Sequence, residues 1–207
     1  MALFGRKDGK SLFGKRKEEA DKKPERHELI DIPIESIIEL SDLTTYQDTG
    51  NTSHAFTLYK RKKYEGEALL RYMYHARDVD DEIVVGVDHI AGTQDQYEVS
   101  RWVVDGEQEL GDPLPDEMTL YYPDPDNEDE EIALVYNRQE IVPAKLTVTD
   151  AQGKEEFKAE LHEYITENDE LMSIELCGNW LTFYVGLLIT RSDLEIYPVN
   201  VNQHIRS

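Results

Sequence analysis

A single cysteine, Cys177, occurs among the 207 residues, so no disulfide can form within the chain. That usage fits a reducing compartment such as a bacterial cytosol. Long apolar runs are lacking too. The longest, residues 180–189, is broken by Thr182 and Gly186 and covers about half of the ~20 residues that a membrane-spanning helix needs. An integral membrane protein is therefore not expected. Nor is a secretory signal: Lys and Arg recur through Arg26, where an apolar stretch of roughly 7–15 residues would have to follow a basic start. Positive charge is scarce overall, with 22 Lys and Arg against 44 Asp and Glu and a net charge of −22. Nucleic-acid binding relies on cations that neutralise phosphates, so the acidic body is not expected to bind nucleic acid directly.

Catalytic signatures are missing as well. There is no Gly-x-Gly-x-x-Gly, no Gly-x-x-x-x-Gly-Lys-Ser/Thr, no Gly-x-Ser-x-Gly and no His-Glu-x-x-His. His162-Glu163 is followed by Thr166 where a second zinc-binding histidine would stand. A nucleophilic thiol needs a nearby base or cation. The cations nearest to Cys177 in sequence are Lys158 and Arg191, so Cys177 reads as a core or turn residue. No catalytic residue and no cofactor is nominated.

What is present is a sharp division of charge. Residues 1–17 carry six Lys or Arg and one Asp, which leaves 16 basic and 43 acidic residues to the other 190. A patch of either sign attracts its opposite within a Debye length of ~10 Å, so the two parts are expected to meet different partners. The basic part holds two related segments, Leu3-Phe4-Gly5-Arg6-Lys7 and Leu12-Phe13-Gly14-Lys15-Arg16, spaced nine residues apart. On a helix of ~3.6 residues per turn that spacing puts the phenylalanines on opposite sides, and each glycine weakens a helix by about 1 kcal/mol. Residues 1–26 thus read as a flexible basic arm with two short adhesive motifs. Leu3, Phe4, Arg6, Lys7, Lys10, Leu12, Phe13, Lys15, Arg16 and Lys17 are its candidate contacts with a protein partner or an anionic membrane surface, where each cation contributes ~1 kcal/mol.

Residues 27–207 read as a single acidic, β-rich domain. Segments 55–60, 67–75, 82–88, 96–104, 118–122, 132–137, 145–149, 171–176, 181–190 and 194–199 are rich in Val, Ile, Tyr, Thr and Trp and are separated by Gly, Asp, Asn or Pro, the pattern of strands. Residues 35–40 suggest a short helical turn. Residues 154–166 are the best helix candidate because Phe157, Leu161, Tyr164 and Ile165 share a face at helical spacing. Phe157, Ala159, Leu161 and Ile165 also fit a period of two, with residues 150–153 as a hairpin turn. The expected fold is mainly β, an antiparallel sandwich or roll with one or two short helices; α+β is the alternative. The apolar segment 180–189 is expected as a central strand covered on both faces.

Two acidic settings are candidate cation sites. His75, Asp78, Asp80, Asp81, Asp88 and His89 bracket a turn between two candidate strands. If those strands pair, the histidines would approach each other beside carboxylates, a donor set for zinc or iron. Asp124, Asp126 and Glu128 open an acidic run, although Asp129 stands where a helix–loop–helix calcium loop requires glycine. In both places a solvated polar turn accounts for the same residues.

The opening Phe-Gly-basic motif, the stretch Arg71-Tyr-Met-Tyr-His-Ala-Arg-Asp-Val-Asp-Asp-Glu-Ile-Val-Val, and Trp180-Leu-Thr-Phe-Tyr-Val-Gly with Leu194-Glu-Ile-Tyr-Pro-Val together resemble the YjfK-like family of uncharacterised bacterial proteins. The resemblance spans most of residues 27–207 and carries no catalytic motif. It implies a bacterial cytoplasmic protein without assigned enzymology, from a family often encoded beside a phage-shock-type membrane-stress protein and small membrane proteins. It transfers no site residue.

Three functional readings follow. The first is a non-enzymatic interaction or adaptor protein, held at a partner or at the inner face of the membrane through residues 1–17. The second is a metal-dependent protein or enzyme that uses His75, His89 and the carboxylates between them. The third is an acidic decoy that occupies a nucleic-acid-binding partner through residues 105–131.

Overall fold

Apolar and polar residues alternate along most of the chain, and the pleat of an extended backbone sends alternate side chains to opposite faces. The computed structural model describes residues 29–40, 55–90, 93, 96–124 and 127–199, without the side chains of 127–129. The proposed arm lies outside the described residues, as do residues 41–53, whose Ser, Thr, Asp, Asn and Gly content reads as a loop. Among the described residues eleven strands form: β1 (Ile37–Leu40), β2 (Ala55–Glu65), β3 (Leu70–Arg77), β4 (Glu82–His89), β5 (Tyr97–Glu109), β6 (Glu117–Asp124), β7 (Asn127–Asp150), β8 (Gly153–Ile165), β9 (Leu171–Cys177), β10 (Trp180–Ile189) and β11 (Leu194–Tyr197). Among the described residues the only helical piece is a 3-10 turn at Arg191–Asp193.

The sheet is antiparallel, with strand order β11-β1-β2-β3-β4-β5-β10-β9-β8-β7-β6, and the second half of β2 also pairs with β7. That pairing closes β2, β3, β4, β5, β10, β9, β8 and β7 into an eight-stranded barrel. The expected mainly-β fold is what forms, with its sheet rolled shut. Eight strands leave an interior just wide enough for side chains to fill. Tyr64, Met73, Val84, Trp102, Leu146, Ala159, Leu161 and Tyr184 form that interior cluster. Trp102 is accommodated by two glycines: a Cβ on Gly86 would lie 2.4 Å from Trp102 Nε1, and one on Gly186 would lie 2.6 Å from its ring.

Two apolar layers cover the barrel from outside. Leu29, Ile32, Ile38, Leu40, Leu194 and Ile196 pack over Phe56, Leu58, Tyr72, Tyr74, Ile83, Val85 and Val87, and the Tyr74 hydroxyl donates to the Leu29 carbonyl at 2.7 Å. On the other side, the β6–β7 hairpin brings Tyr136, Leu120 and Leu134 against Tyr164, Met172, Ile174, Leu181 and Phe183. A register shift between Leu58 and Lys60 decides which layer β2 serves. Phe56 and Leu58 face the outer layer, whereas Lys62 and Tyr64, beyond the shift, face the interior. An extra residue in one strand moves every following side chain to the other face.

Several local expectations change. Residues 154–166 are strand β8, paired with β7 on one side and β9 on the other. The period of two prevails over the helical one because both neighbours supply ladder partners. The β7–β8 turn is tied by Asp150 Oδ1, which accepts from the backbone N–H groups of Gln152 at 2.7 Å and Gly153 at 3.1 Å. Residues 37–40 form β1 instead of a helical turn, because β2 and β11 pair with them on both edges. Segments 132–137 and 145–149 belong to the one long strand β7. Strand β10 is central, between β5 and β9, but Leu187 and Leu188 at its far end are 44% and 50% exposed, so the double cover stops short of them.

Candidate functional site

Closing a barrel around strands that carry Lys, Arg, Glu and Asp forces charge into the interior, where each ion needs a partner. Strand β2 brings four consecutive cations, Lys60 to Lys63. Those facing outward find surface partners: Arg61 Nη1 donates to the Ile32 carbonyl at 3.2 Å and Lys63 pairs with Glu65 at 2.8 Å. Lys62 points inward and donates to both oxygens of Glu175, at 2.8 and 3.0 Å, and to the Tyr184 hydroxyl at 2.9 Å. The Tyr64 hydroxyl donates to the same carboxylate. Burial alone would lower the Lys62 pKa, but Tyr184 and Glu175 outweigh it and hold the ammonium charged.

A second network sits two ladder positions along β3 from Met73. Arg71 grips Asp88 with two parallel hydrogen bonds, Nε to Oδ1 at 2.6 Å and Nη2 to Oδ2 at 2.9 Å. Its Nη1 donates to Glu163 at 2.6 Å, and Ser173 donates to the same Glu163 oxygen at 2.9 Å. Such bidentate, charge-assisted contacts are the strong ones. The guanidinium also lies over the Trp102 ring, 5.9 Å from its centroid.

At one end the barrel wall parts. Strand β5 pairs with β10 as far as Glu109 but with β4 only as far as Trp102, opposite Val84. A register shift in the β5–β10 ladder near Val104 and Gly106 coincides with the divergence. The resulting slot, about 340 Å³, is lined by Lys60, His75, Glu82, Val84, Val103, Val104 and Glu107. His75 is 1% exposed, and neither ring nitrogen has a hydrogen-bond partner among the described residues. Its Nδ1 is 3.7 Å from Glu82 Oε1, too long for a hydrogen bond. Burial lowers the His75 pKa to about 4, so the imidazole is neutral near pH 7. In the acid range where Glu82 titrates, the ring of His75 is protonated, and it and then the Tyr59 hydroxyl hold the Glu82 carboxyl down at about 2. A larger depression of about 810 Å³ is lined by Pro143, Phe157 and Leu176 among others, where Lys145 and Glu156 already pair with each other at 2.8 Å.

The candidate metal residues fall in separate places. The β3–β4 hairpin does form, but its register sets Arg77 opposite Glu82 and Arg71 opposite Asp88. His75 therefore faces the barrel interior opposite Val84, while His89 lies at the far end of β4, opposite Tyr97 of β5 and with their ring centroids 5.4 Å apart. The two histidines do not converge as expected, because five ladder positions of ~3.4 Å each separate their levels. Asp88 is engaged by Arg71. Asp78 closes the turn, its Oδ1 accepting from the backbone N–H of Asp80 at 2.9 Å and of Asp81 at 2.7 Å. Asp124 ends β6, whereas Asp126 and the side chain of Glu128 are outside the described residues. Among the described residues no group of three or more His, Cys, Asp or Glu is placed to hold a metal ion. Cys177 is half-buried at the end of β9, and burial followed by the Glu175 charge pushes its thiol pKa up, the opposite of nucleophile activation.

Of the candidate metal residues, only His75 lines the slot, and Glu107 belongs to the 105–131 stretch read as a decoy surface. Lys60 and Glu82, and the interior residues Lys62, Arg71, Glu163 and Glu175, had no role assigned from sequence. The four-cation run in an otherwise acidic body was the available signal. Comparison with protein-family models, with curated proteins and with solved structures finds no match. Among the described residues no helix is long and apolar enough to cross a membrane.

Proposed function

We propose that this chain is a non-enzymatic interaction module: an acidic barrel that presents docking surfaces, joined to a basic, Phe-containing contact segment in residues 1–17. The observation that carries this reading is the internal neutralisation of the barrel's chemistry. Lys62, Arg71, Asp88, Glu163 and Glu175 are committed to one another, as in a packed scaffold, and the groups left to meet a partner lie at the rim and on the outer surface. On this reading the protein works in the bacterial cytoplasm, as the resemblance to the YjfK-like family implies, peripheral to the inner face of the membrane or bound to a protein there. Six cations at ~1 kcal/mol each, with two phenylalanines, suffice for reversible attachment, while the net charge of −22 opposes close approach and makes attachment salt-sensitive.

Vesicle flotation tests it. Full-length protein is expected to float with vesicles containing anionic lipid at low salt and to be released at high salt. A full-length variant with the six cations changed to Gln and Phe4 and Phe13 changed to Ala should stay at the bottom. Equal flotation of the two proteins removes the contact role of residues 1–17.

A further inference from the structure

The divergence of β4 and β5 leaves more than a slot. Over residues 103–109 one edge of β5 is paired with β10, while the edge turned toward β4 has no strand partner among the described residues. Val103 and Val104 on this stretch are each 40% exposed. Unpaired edges are templates for another strand, and natural edges are usually blunted by lysine, proline or a covering loop. This one carries Asp105, Glu107 and Glu109 and no cation.

From this geometry we infer that the free edge of β5 receives an extended, Lys- or Arg-bearing peptide segment of a partner by strand addition, one basic side chain entering the slot between Glu82 and Glu107. The inference rests on the interaction reading above and names the partner's chemistry. Three features select the occupant. Cross-strand neighbours share a face, so the residue set opposite Val104 points into the slot with it. Its aliphatic stem would lie along Val84 and Val104, as long cationic side chains do on apolar surface. Two carboxylates, one ammonium (Lys60) and a neutral His75 leave the slot with one uncompensated negative charge. The buried ring of His75, whose nitrogens have no hydrogen-bond partner among the described residues, lines the slot beside these carboxylates. A second copy of this chain would instead set Asp105, Glu107 and Glu109 against themselves, which like-charge repulsion disfavours.

The test is hydrogen exchange at the amides of 103–109 in the full chain, with a blocked peptide alternating Lys and Val as probe. Exchange should slow at these amides, and binding should weaken about tenfold or more for Glu107→Lys and for Glu107→Gln, as expected for losing a charge-assisted hydrogen bond. The same peptide N-methylated at alternate residues keeps its charge but loses the edge hydrogen bonds, and it should not protect 103–109. Equal binding of the methylated peptide, or protection elsewhere only, overturns strand addition in favour of surface electrostatics. Protection that grows with protein concentration without peptide makes a second copy the occupant. Protection without peptide that vanishes when the six cations of residues 1–17 become Gln makes the chain's own basic segment the occupant. Either result overturns the assignment to a partner. Flotation is read independently, so flotation without peptide protection removes this inference alone, and peptide protection without flotation removes only the contact role of residues 1–17.

Discussion

Placing an ammonium group inside a barrel costs several kcal/mol unless its counter-charge is fixed beside it, and Lys62 meets that condition with three acceptors from Glu175 and Tyr184. Truncating one member strands the other. Lys62→Met is expected to destabilise the protein by about 3–5 kcal/mol in urea unfolding, and Lys62→Met with Glu175→Leu should recover most of the loss. A single-variant cost below about 1 kcal/mol would mean that the pair is solvated. His75 makes the second prediction at this scale. Its pKa of about 4 lies below the ordinary value of 6.5, so the unfolded chain takes up the proton first as pH falls. The associated stability is complete above about pH 6.5 and is lost toward pH 4, about 3 kcal/mol in all. Lys60 and Lys62 reinforce the shift, Glu82 opposes it, and Tyr59 and Tyr184 contact the ring edge-on. Glu82, held at about 2, extends the loss in the same direction below about pH 4.5. Unfolding curves at pH 7, 5.5 and 4.5 should show a shallower pH slope for His75→Gln than for the parent. Identical slopes would remove His75 as the source.

Elements were legible wherever two signals agreed. Residues 82–88 are rich in β-branched residues, 171–176 alternate, and 181–190 are a short apolar run; all are bounded by turn residues, and each forms a strand close to its expected limits. Residues 154–166 carried two periods at once, and only their ladders with β7 and β9 selected the strand. The register shift at Tyr59 has no sequence signature, because it is fixed by what Phe56, Leu58, Lys62 and Tyr64 must face. Turns obey more local rules. Gly178 opens the β9–β10 turn at φ 64 with open space around its Cβ position, so a side chain there meets backbone strain alone. Gly178→Val should lower stability by about 1–2 kcal/mol without altering the fold seen by circular dichroism. A neutral result would mean that the turn relaxes to another conformation.

At the scale of the molecule, a net charge of −22 on a closed barrel means self-repulsion that salt relieves. The thermal midpoint is expected to rise as ionic strength goes from about 10 mM to about 150 mM, where the Debye length shrinks from ~30 to ~8 Å. Lys62→Met should keep that dependence, since its ion pair is buried and poorly screened. A midpoint that falls with added salt would show that surface ion pairs outweigh the repulsion.

Composition and alternation by themselves determined an acidic, mainly-β body, a basic segment set apart from it, and the lack of familiar catalytic motifs. Those properties depend on residue type and near neighbours. Barrel closure was decided only by the tertiary structure, through the pairing of β2 with β7, some 85 residues apart in sequence along a ladder such as Lys63 with Thr147. So was the separation of His75 from His89, which follows from hairpin register. The inward turn of Lys62 and the slot between β4 and β5 belong there too, because each arises where distant strands meet or part, and no local spacing encodes that.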